Sequence, residues 1–258
     1  MHPLLTIAKR AAYAAGDIVV KSFEQASRLD IKEKGPNDFV SNVDLASEAV
    51  LIETIRESYP DHLIIAEESG QTGKADSEYR WVLDPIDGTT NFIKGLPHFA
   101  ISIGIYKNNK LEAGLVYQPV TDEMFCAARG QGATLNDRKI RASAVLPENA
   151  VIATGIPFRK PELHSNTIAN LKNVLVTFPD IRRGGAASLD LCYVACGRVD
   201  GYYECGLSEW DIAAGALIAQ ESGAIVSDVN GNLTHLQTGN IVAAPPKVYK
   251  ALVKVLKS

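Results

Sequence analysis

The chain is organised around the stretch Asp84-Pro85-Ile86-Asp87-Gly88-Thr89-Thr90-Asn91. It follows the apolar run Tyr79-Arg80-Trp81-Val82-Leu83, so a strand is predicted to stop at Asp84. Pro85 cannot donate a hydrogen bond to a continuing strand, and Gly88 accepts turn dihedrals that other residues resist. The two carboxylates should therefore converge beside the exposed N–H groups of a turn. Carboxylates suit a hard cation such as Mg²⁺ and N–H groups suit a phosphate, so the stretch predicts metal-assisted phosphate chemistry.

Three familiar motifs do not fit the spacing of this stretch. An EF-hand loop has ligands at alternate positions and glycine at the sixth, whereas here the acids are three apart and Gly88 is fifth. The haloacid dehalogenase pattern needs a nucleophilic aspartate where Pro85 stands, so no phosphoenzyme is implied. The chain also lacks the G-x-x-x-x-G-K-[ST] phosphate loop. Taken alone, the stretch could still be an ordinary acidic turn.

The composition is that of a globular chain with a net negative charge. Its 258 residues are 46% hydrophobic and 22% charged, enough for one large or two small cores. The net charge of −4 argues against broad electrostatic binding to nucleic acid. An acidic site would also repel an anionic substrate, so the phosphate hypothesis requires bound cations. No apolar run approaches membrane-spanning length and the N-terminus lacks a signal-peptide core, so we expect a cytoplasmic protein without membrane association.

The cysteines favour buried structural thiols over a metal site. Cys192 and Cys196 have helical spacing, but neither a histidine pair nor a Cys-x-x-Cys motif accompanies them. Cys126 and Cys205 are isolated. A sparse, unpaired set of thiols fits a reducing cytosol.

Residues 1–145 are predicted to form an α+β half that carries most of the metal ligands. Helical spacing indicates a first helix through residues 4–19. A second helix is predicted from near Ser41 through Leu45, Ala49, Ile52 and Ile55, ending before Pro60. Strands are predicted at 63–66, 99–106, 111–117 and 123–127.

Residues 146–258 alternate helices with strands, which predicts an α/β half packed against the first. Helices are predicted at 161–175, 187–196, 210–221 and after Pro246, and strands at 151–154, 199–205, 224–227 and 241–244. This half contains Asp211. No flexible linker separates the halves, so one compact body is expected.

Two further acidic segments also lie at the boundary of a predicted strand or helix. Glu67-Glu68-Ser69 ends an apolar strand, and Asp211 lies in the first turn of a helix, where its charge suits the helix dipole. Alone, each has a simpler explanation, namely a solvated loop edge and a favourable N-terminal acid. Parallel strands bring their carboxyl ends to a common crevice, so all three segments could meet there.

Together these segments resemble the signatures of the inositol monophosphatase family. The resemblance covers essentially the whole chain and rests on Glu67-Glu68-Ser69, 84–92 and 210–215. The segments 1–3, 37–40, 91–94 and 197–201 are most similar to the bacterial SuhB-like branch of that family. The resemblance implies a mixed α/β (α+β) fold arranged as a layered αβαβα sandwich. It also implies a homodimer that hydrolyses phosphate monoesters with Mg²⁺ and is inhibited by Li⁺.

The resemblance assigns metal ligands residue by residue. One site would comprise Glu67, Asp84 and the backbone carbonyl of Ile86, and a second would use Asp84, Asp87 and Asp211. A weaker third ion would contact Glu67 mostly through water.

Other matching positions would hold the substrate and activate water. Gly88 and Thr89 match phosphate-contacting residues, and Asp44 matches the residue that orients Thr89, with which it helps deprotonate the attacking water. Glu204 and Ala187 match positions that contact the inositol hydroxyls.

Two functions therefore remain open. The first is Mg²⁺-dependent hydrolysis of inositol monophosphates to inositol and phosphate by activated water. The alternative, implied by the SuhB-like branch, is a regulatory protein of transcription antitermination that binds NusA and RNA polymerase, with phosphatase activity secondary. Two departures from the family pattern are Ala66, where many relatives have Gly, and Ala186, where Ser or Thr is frequent. The second departure leaves the preferred polyol or sugar open.

Overall fold

The computed structural model of the protein describes residues 2–24, 31–35 and 38–257. Met1 and Asn37, which belong to two of the resembling segments, lie outside the described residues.

The described residues form eight α-helices and fifteen strands. The helices are α1 (Pro3–Phe23), α2 (Asn42–Ser58), α3 (Thr89–Ile93), α4 (His164–Thr177), α5 (Ala187–Ala195), α6 (Glu209–Glu221), α7 (His235–Thr238) and α8 (Pro246–Leu256). The strands are β1 (Ile31–Gly35), β2 (Asp38–Ser41), β3 (Leu63–Ala66), β4 (Gly70–Thr72), β5 (Tyr79–Asp87), β6 (Ala100–Lys107), β7 (Lys110–Gln118), β8 (Glu123–Ala128), β9 (Gly132–Leu135), β10 (Arg138–Ile140), β11 (Val151–Thr154), β12 (Asp180–Arg182), β13 (Gly201–Glu204), β14 (Ile225–Ser227) and β15 (Ile241–Ala244).

The strands form two large sheets and one hairpin. The larger sheet has eight strands in the order β10-β9-β8-β7-β6-β5-β3-β4, and the smaller has five in the order β12-β11-β13-β15-β14. Within the larger sheet, β3 and β5 are parallel neighbours, with Leu63 opposite Arg80 and Ala66 opposite Leu83. The carboxyl ends of β3 and β5, which carry two of the acidic segments, therefore lie side by side.

Five layers alternate through the molecule and confirm the αβαβα sandwich. Helices α1 and α2 cover one face of the larger sheet, and α5 and α6 cover its other face. The smaller sheet packs on the far side of α5 and α6, with α4 and α8 outside it. Helices α5 and α6 thus contribute to the apolar cores of both sheets.

Helix α2 spans the predicted residues, but only some of the apolar residues that indicated it face the core. Ile55 is buried and Ile52 packs against the core, whereas Leu45 is 50% exposed and Ala49 is also exposed. The face turned toward the larger sheet is half polar and comprises Val43, Asp44, Ser47, Glu48, Leu51 and Ile55. Its polar members form hydrogen bonds with backbone and side chains of the candidate site.

Strand β5 continues past the predicted stop. Asp84 pairs with Ser102 of β6 and Asp87 pairs with Ala100, with a register shift between the two pairs. Two residues of β5, Pro85 and Ile86, therefore lie opposite the single residue Ile101 of β6, which is a β-bulge at a proline that cannot donate to the ladder. The prediction that the strand ends at Asp84 is wrong, because the bulge absorbs Pro85 and the strand resumes.

The remaining elements agree with the sequence patterns apart from their ends. The predicted helix at Pro161 begins as a 3₁₀ turn, Pro161–Leu163, before α4. The predicted strand at 199–205 is limited to Gly201–Glu204. The short strands β1, β2, β4, β9, β10 and β12 and the one-turn helix α7 were not predicted. All four cysteines are free thiols, with Cys126 and Cys192 buried. None of the helices in the described ranges combines the length and apolarity needed to cross a membrane.

Candidate active site

A cavity of about 570 Å³ opens between the two sheets and gathers residues from distant parts of the chain. Nine of the ten predicted site residues line it, namely Glu67, Asp84, Ile86, Asp87, Gly88, Thr89, Ala187, Glu204 and Asp211. The tenth, Asp44, is buried behind Thr89, whose hydroxyl it contacts. The three acidic segments therefore share one cavity.

The two aspartates of the bulge are held by different groups. The Ile86 N–H donates to Oδ1 of Asp84 at 2.9 Å, which closes a local turn across Pro85. Asp87 instead reaches the start of α5, where the backbone N–H and the hydroxyl of Ser188 both donate to its Oδ2, at 2.7 and 2.5 Å. Asp87 thus satisfies an N–H group at a helix start that lacks an intrahelical partner.

Asp44 and Asp211 occupy the same position in two different helices. Asp44 accepts from the backbone N–H of Ser41 at 2.9 Å, and Asp211 accepts from that of Ser208 at 2.7 Å. Each is the third residue of its helix and forms a capping box with the serine before the helix. Both bonds use Oδ2, so the cap fixes the side chain while Oδ1 faces away from it.

Thr89 lies between Asp44 and the bulge. Its Oγ1 is 3.2 Å from Oδ1 of Asp44 and 3.0 Å from the carbonyl oxygen of Ile86. Because a hydroxyl carries one hydrogen, Thr89 donates to one of these acceptors at a time. Asp44 also receives a 2.5 Å hydrogen bond from the Ser41 hydroxyl, so its position is fixed before any ligand binds.

Gly88 is required where β5 turns into α3. Its φ is +92°, a left-handed conformation that side chains disfavour. A Cβ there would lie 3.0 Å from the carbonyl oxygen of His98 and 3.2 Å from the Cβ of Ala186. The next residues are fixed by Asn91, whose amide nitrogen donates to the carbonyls of His98 and Gly184 at 2.7 and 3.0 Å.

Three aspartates of the cavity have raised pKa values. Burial is the main cause of the rise for Asp84, and the charges of Glu67, Asp87 and Asp211 add to it. Burial likewise raises the pKa of Asp87 to about 7, and burial with the charge of Asp87 raises that of Asp211 to about 7. The ionised cluster is therefore costly, and a bound cation would lower that cost.

The carboxylate oxygens of the cavity suit a hard divalent cation, although their side chains do not already converge on one point. Within the described part of the chain, no three His, Cys, Asp or Glu side chains converge closely enough to hold a metal ion as they stand. The hydrogen bonds described above engage one oxygen each of Asp84, Asp87 and Asp211. The second oxygens belong to buried or half-buried acids that line the same cavity, and carboxylate oxygens are what Mg²⁺ prefers.

Cationic side chains also line the cavity. Arg159, Lys160 and Arg183 line the cavity, and the Arg183 guanidinium lies over the ring of Phe158 at 5.2 Å. The charges of Arg159 and Lys160 lower the pKa of Asp211, partly offsetting its burial. An anion could therefore meet positive charge in the same cavity in which carboxylates hold a cation.

The whole chain, residues 1–258, matches the model of the inositol monophosphatase family. This chain belongs to that family. The Nus factor SuhB of Vibrio cholerae is 48% identical over 258 residues, covering 100% of this chain and 97% of that protein. The Escherichia coli K12 protein of the same name is 49% identical over 254 residues, covering 98% and 95%.

Solved structures from the family share the fold over nearly the full length. The crystal structure of extragenic suppressor protein SuhB from Bartonella henselae has a TM-score of 0.95 at 39% identity, covering 99% of this chain and 98% of that one. The inositol monophosphatase from Anabaena has a TM-score of 0.88 at 38% identity, covering 98% and 95%. Family and fold together support phosphatase chemistry.

The sequence missed several residues that hold the inositol monophosphatase site together. Ser188 binds Asp87, and Asn91 joins two loops of the cavity wall. The pattern Ser-x-x-Asp occurs at both Ser41 and Ser208 and, as a capping-box signature, could have revealed that Asp44 and Asp211 have equivalent positions. Ser188 and Asn91 have no comparable signal, because Ser188 binds Asp87 and Asn91 binds Gly184 across more than 90 residues of sequence.

Proposed function

We propose that the protein is a Mg²⁺-dependent phosphatase that hydrolyses inositol monophosphates to inositol and phosphate. One observation carries the proposal. Carboxylates from three separate segments, Glu67, Asp84 with Asp87, and Asp211, line one cavity, where the charges of Glu67, Asp87 and Asp211 add to the raised pKa of Asp84. Perturbed acids in a cleft are typical of functional sites, and this cluster needs a cation to remain ionised at neutral pH.

In this proposal Glu67, Asp84, the Ile86 carbonyl, Asp87 and Asp211 hold the metal. A divalent cation bound by them would supply positive charge for the phosphate dianion and would acidify the attacking water. Gly88 and Thr89 would receive the phosphate with the N–H groups that begin α3. The presence of the cationic residues Arg159, Lys160 and Arg183 supports the entry of a dianion into an otherwise acidic cavity.

Thr89 and Asp44 form the proposed proton relay. The Thr89 hydroxyl donates to Oδ1 of Asp44, which leaves the oxygen of Thr89 able to accept a hydrogen bond from a water molecule. As that water attacks phosphorus, its proton would pass to Thr89 Oγ1 while the Thr89 proton passes to Asp44. The phosphorus–oxygen bond to the alcohol would break in the same step, and the departing alkoxide would take a proton from water. Burial raises the pKa of Asp44, which favours its acting as a base.

Ala187 and Glu204 would contact the alcohol part of the substrate. Ala187 opens α5 at the cavity wall, and Glu204 ends β13. Tyr202 donates to Oε2 of Glu204 at 2.5 Å, which fixes the carboxyl group, and a Cβ at Gly155 would overlap that carboxyl. An acceptor so placed suits a hydroxyl of a polyol, which supports an inositol phosphate over a simple alkyl phosphate.

The direct test is phosphate release from a panel of monoesters. We expect turnover of inositol 1-phosphate with Mg²⁺ and its loss on chelation with EDTA, with restoration when Mg²⁺ is returned. Glycerol phosphates, sugar phosphates and nucleotide phosphates would rank the alcohol preference, and added LiCl should inhibit. A purified, folded protein that releases no phosphate from any of these substrates with Mg²⁺ or Mn²⁺ would refute the proposal.

A second function is favoured by the names of the relatives. The 48% identical protein of Vibrio cholerae is a Nus factor, which supports a role for this chain in transcription antitermination through NusA and RNA polymerase. The two functions are separable by experiment. Titration of purified NusA and RNA polymerase against wild type and Asp84→Asn should show binding that is independent of catalysis. Absence of binding by the wild-type protein would exclude this second role.

A further inference from the structure

The buried face of α2 carries three polar side chains in adjacent turns. Asp44, Ser47 and Glu48 are all buried, and Glu48 is only 3% exposed. Residues separated by three or four positions lie on the same side of a helix, so the three face the larger sheet together. Burying such groups is unfavourable unless hydrogen bonds compensate them.

Each of the three side chains contacts a different segment of the candidate site. Asp44 contacts the Thr89 hydroxyl at 3.2 Å, and Ser47 donates to the carbonyl oxygen of Pro85, inside the bulge, at 3.1 Å. Glu48 accepts from two consecutive backbone N–H groups, those of Glu68 and Ser69, both at 2.8 Å. One helix face therefore fixes the proposed base, the bulge and the segment that follows Glu67.

The contact of Glu48 is the most specific of the three. Oε2 accepts from Glu68 and Oε1 from Ser69, so both oxygens of one carboxylate span adjacent amides. On the other side, the Glu67 N–H donates to the carbonyl of Leu83 at 3.1 Å and extends the pairing of β3 with β5. The backbone of Glu67 is thus held from both directions, directly beside the strand that leads to Asp84.

We propose that Glu48 is a positioning residue that presets Glu67 for the divalent cation, with Ser47 doing the same for the bulge that carries Asp84 and Asp87. This inference rests on the proposed function and adds residues that do not touch substrate or metal. It explains why α2 keeps polar groups where an apolar face would pack more simply. Glutamine could not replace Glu48, because its amide nitrogen would face one of the two N–H donors.

The test compares Glu48→Gln with Glu53→Gln, which makes the same charge change on an exposed part of α2. Mg²⁺ binding is measured by isothermal titration calorimetry, and hydrogen exchange of the Glu68 and Ser69 amides is measured in the metal-free protein. We expect Glu48→Gln to weaken Mg²⁺ binding about tenfold or more, the usual effect of losing a partner that orients a ligand. Its two amides should exchange faster without metal, while Glu53→Gln matches the wild type in both measurements.

Phosphate release supplies a third measurement. In Glu48→Gln the Mg²⁺ concentration for half-maximal rate should rise by a similar factor, while KM for the substrate at saturating Mg²⁺ stays within about threefold of wild type. If Glu48→Gln folds poorly, Ser47→Ala serves as a second, milder variant, and it should weaken Mg²⁺ binding by a smaller factor. Unchanged Mg²⁺ affinity together with unchanged amide protection in a folded Glu48→Gln protein would overturn this inference alone. If Glu48→Gln is unfolded, unchanged Mg²⁺ affinity in Ser47→Ala would overturn it. A wild-type protein that neither binds Mg²⁺ nor releases phosphate would overturn the proposed function as well.

Discussion

Asp44 and Asp211 each combine a structural bond with a place at the site. One oxygen caps a helix through the N–H of Ser41 or Ser208, and the rest of the carboxyl is turned toward Thr89 or the cavity. Capping residues lose little conformational freedom on ligand binding, because folding has already fixed them. Substitution of either residue therefore tests helix stability and activity together, which makes Asp84 the cleaner residue for a catalytic test.

Replacement of Asp84 by asparagine should abolish most of the phosphatase activity. Asp84 is the acid whose pKa is raised by all three of Glu67, Asp87 and Asp211, so it lies at the electrostatic centre of the cluster. Loss of its charge should lower kcat by about 10³-fold or more, comparable to removing one strong electrostatic stabiliser. The measurement is phosphate release at saturating Mg²⁺, with a circular dichroism melt to confirm folding. Near-wild-type kcat in a folded Asp84→Asn protein would contradict the assignment.

At the scale of elements, helix α6 is tied to the larger sheet at its N-terminus, next to Asp211. Arg80 of β5 forms a two-pronged ion pair with Glu209, at 2.6 and 3.0 Å, and its guanidinium lies 4.0 Å from the centre of the Tyr106 ring. The Ser102 hydroxyl of β6 donates to the Trp210 carbonyl at 3.1 Å. These bonds set where the first turn of α6 meets the bulge of β5.

Glu209→Gln should therefore loosen the first turn of α6. The pair is largely shielded, with side chains 18% and 27% exposed, so we expect a loss of about 1–2 kcal/mol in the free energy of unfolding, between values for surface and buried pairs. Urea denaturation of the wild type and of Glu209→Gln measures this loss. The exposed pair of Lys74 with Asp61, at 62% and 68% exposure, is the control, and Asp61→Asn should change the free energy of unfolding less than Glu209→Gln does. Equal effects of the two substitutions would show that the Arg80 pair has no special role.

The sequence identified the acids of the site but not the elements that hold them. Strand-end position and family resemblance were sufficient for Asp84, Asp87, Glu67 and Asp211, which the structure brings to one cavity. The sequence predicted the extent of α2 but not its buried polar side chains, because periodicity counts Ser47 and Glu48 as surface residues. The bulge at Pro85 was also missed, since a strand that resumes after proline depends on pairing with β6, a contact that no local pattern encodes.

At the scale of the whole molecule, the acidic cavity couples metal binding to folding. Burial raises the pKa of Asp87 and of Asp211 from 3.8 to about 7, so the folded state binds more protons than the unfolded chain between these values. Stability from this source is present at low pH and is lost as the pH rises through about 7. Half-buried His62 and buried His235, whose pKa values are lowered by desolvation, act in the opposite direction.

Without metal, the wild-type free energy of unfolding should therefore fall more steeply with rising pH than that of Asp87→Asn/Asp211→Asn. Denaturation in EDTA between pH 5 and pH 8 would give both slopes, and the histidine contribution cancels in their difference. Saturating Mg²⁺ should flatten the wild-type slope and raise its melting temperature, since a ligand of the folded state stabilises it. Identical slopes in the two proteins would show that the cluster does not titrate as described.

The resemblance also predicts a homodimer, and the exposed apolar side chains of α4 support an interface on the outer layer. Ile168, Leu175 and Val176 are all exposed there. Sedimentation equilibrium should give twice the mass of one chain, and Val176→Glu with Leu175→Glu should shift the equilibrium toward the single chain. A wild-type protein that stays a single chain at micromolar concentration would rule out the dimer.

Helices α5 and α6 belong to the later part of the chain, yet they complete the core over Val82, Val116 and their neighbours in the larger sheet. During synthesis, the earlier strands emerge from the ribosome with one apolar face of the larger sheet exposed to solvent until α6 has also been synthesised. A nascent chain of this protein should therefore depend on shielding by a chaperone late in translation, and truncation before Glu209 should yield inclusion bodies.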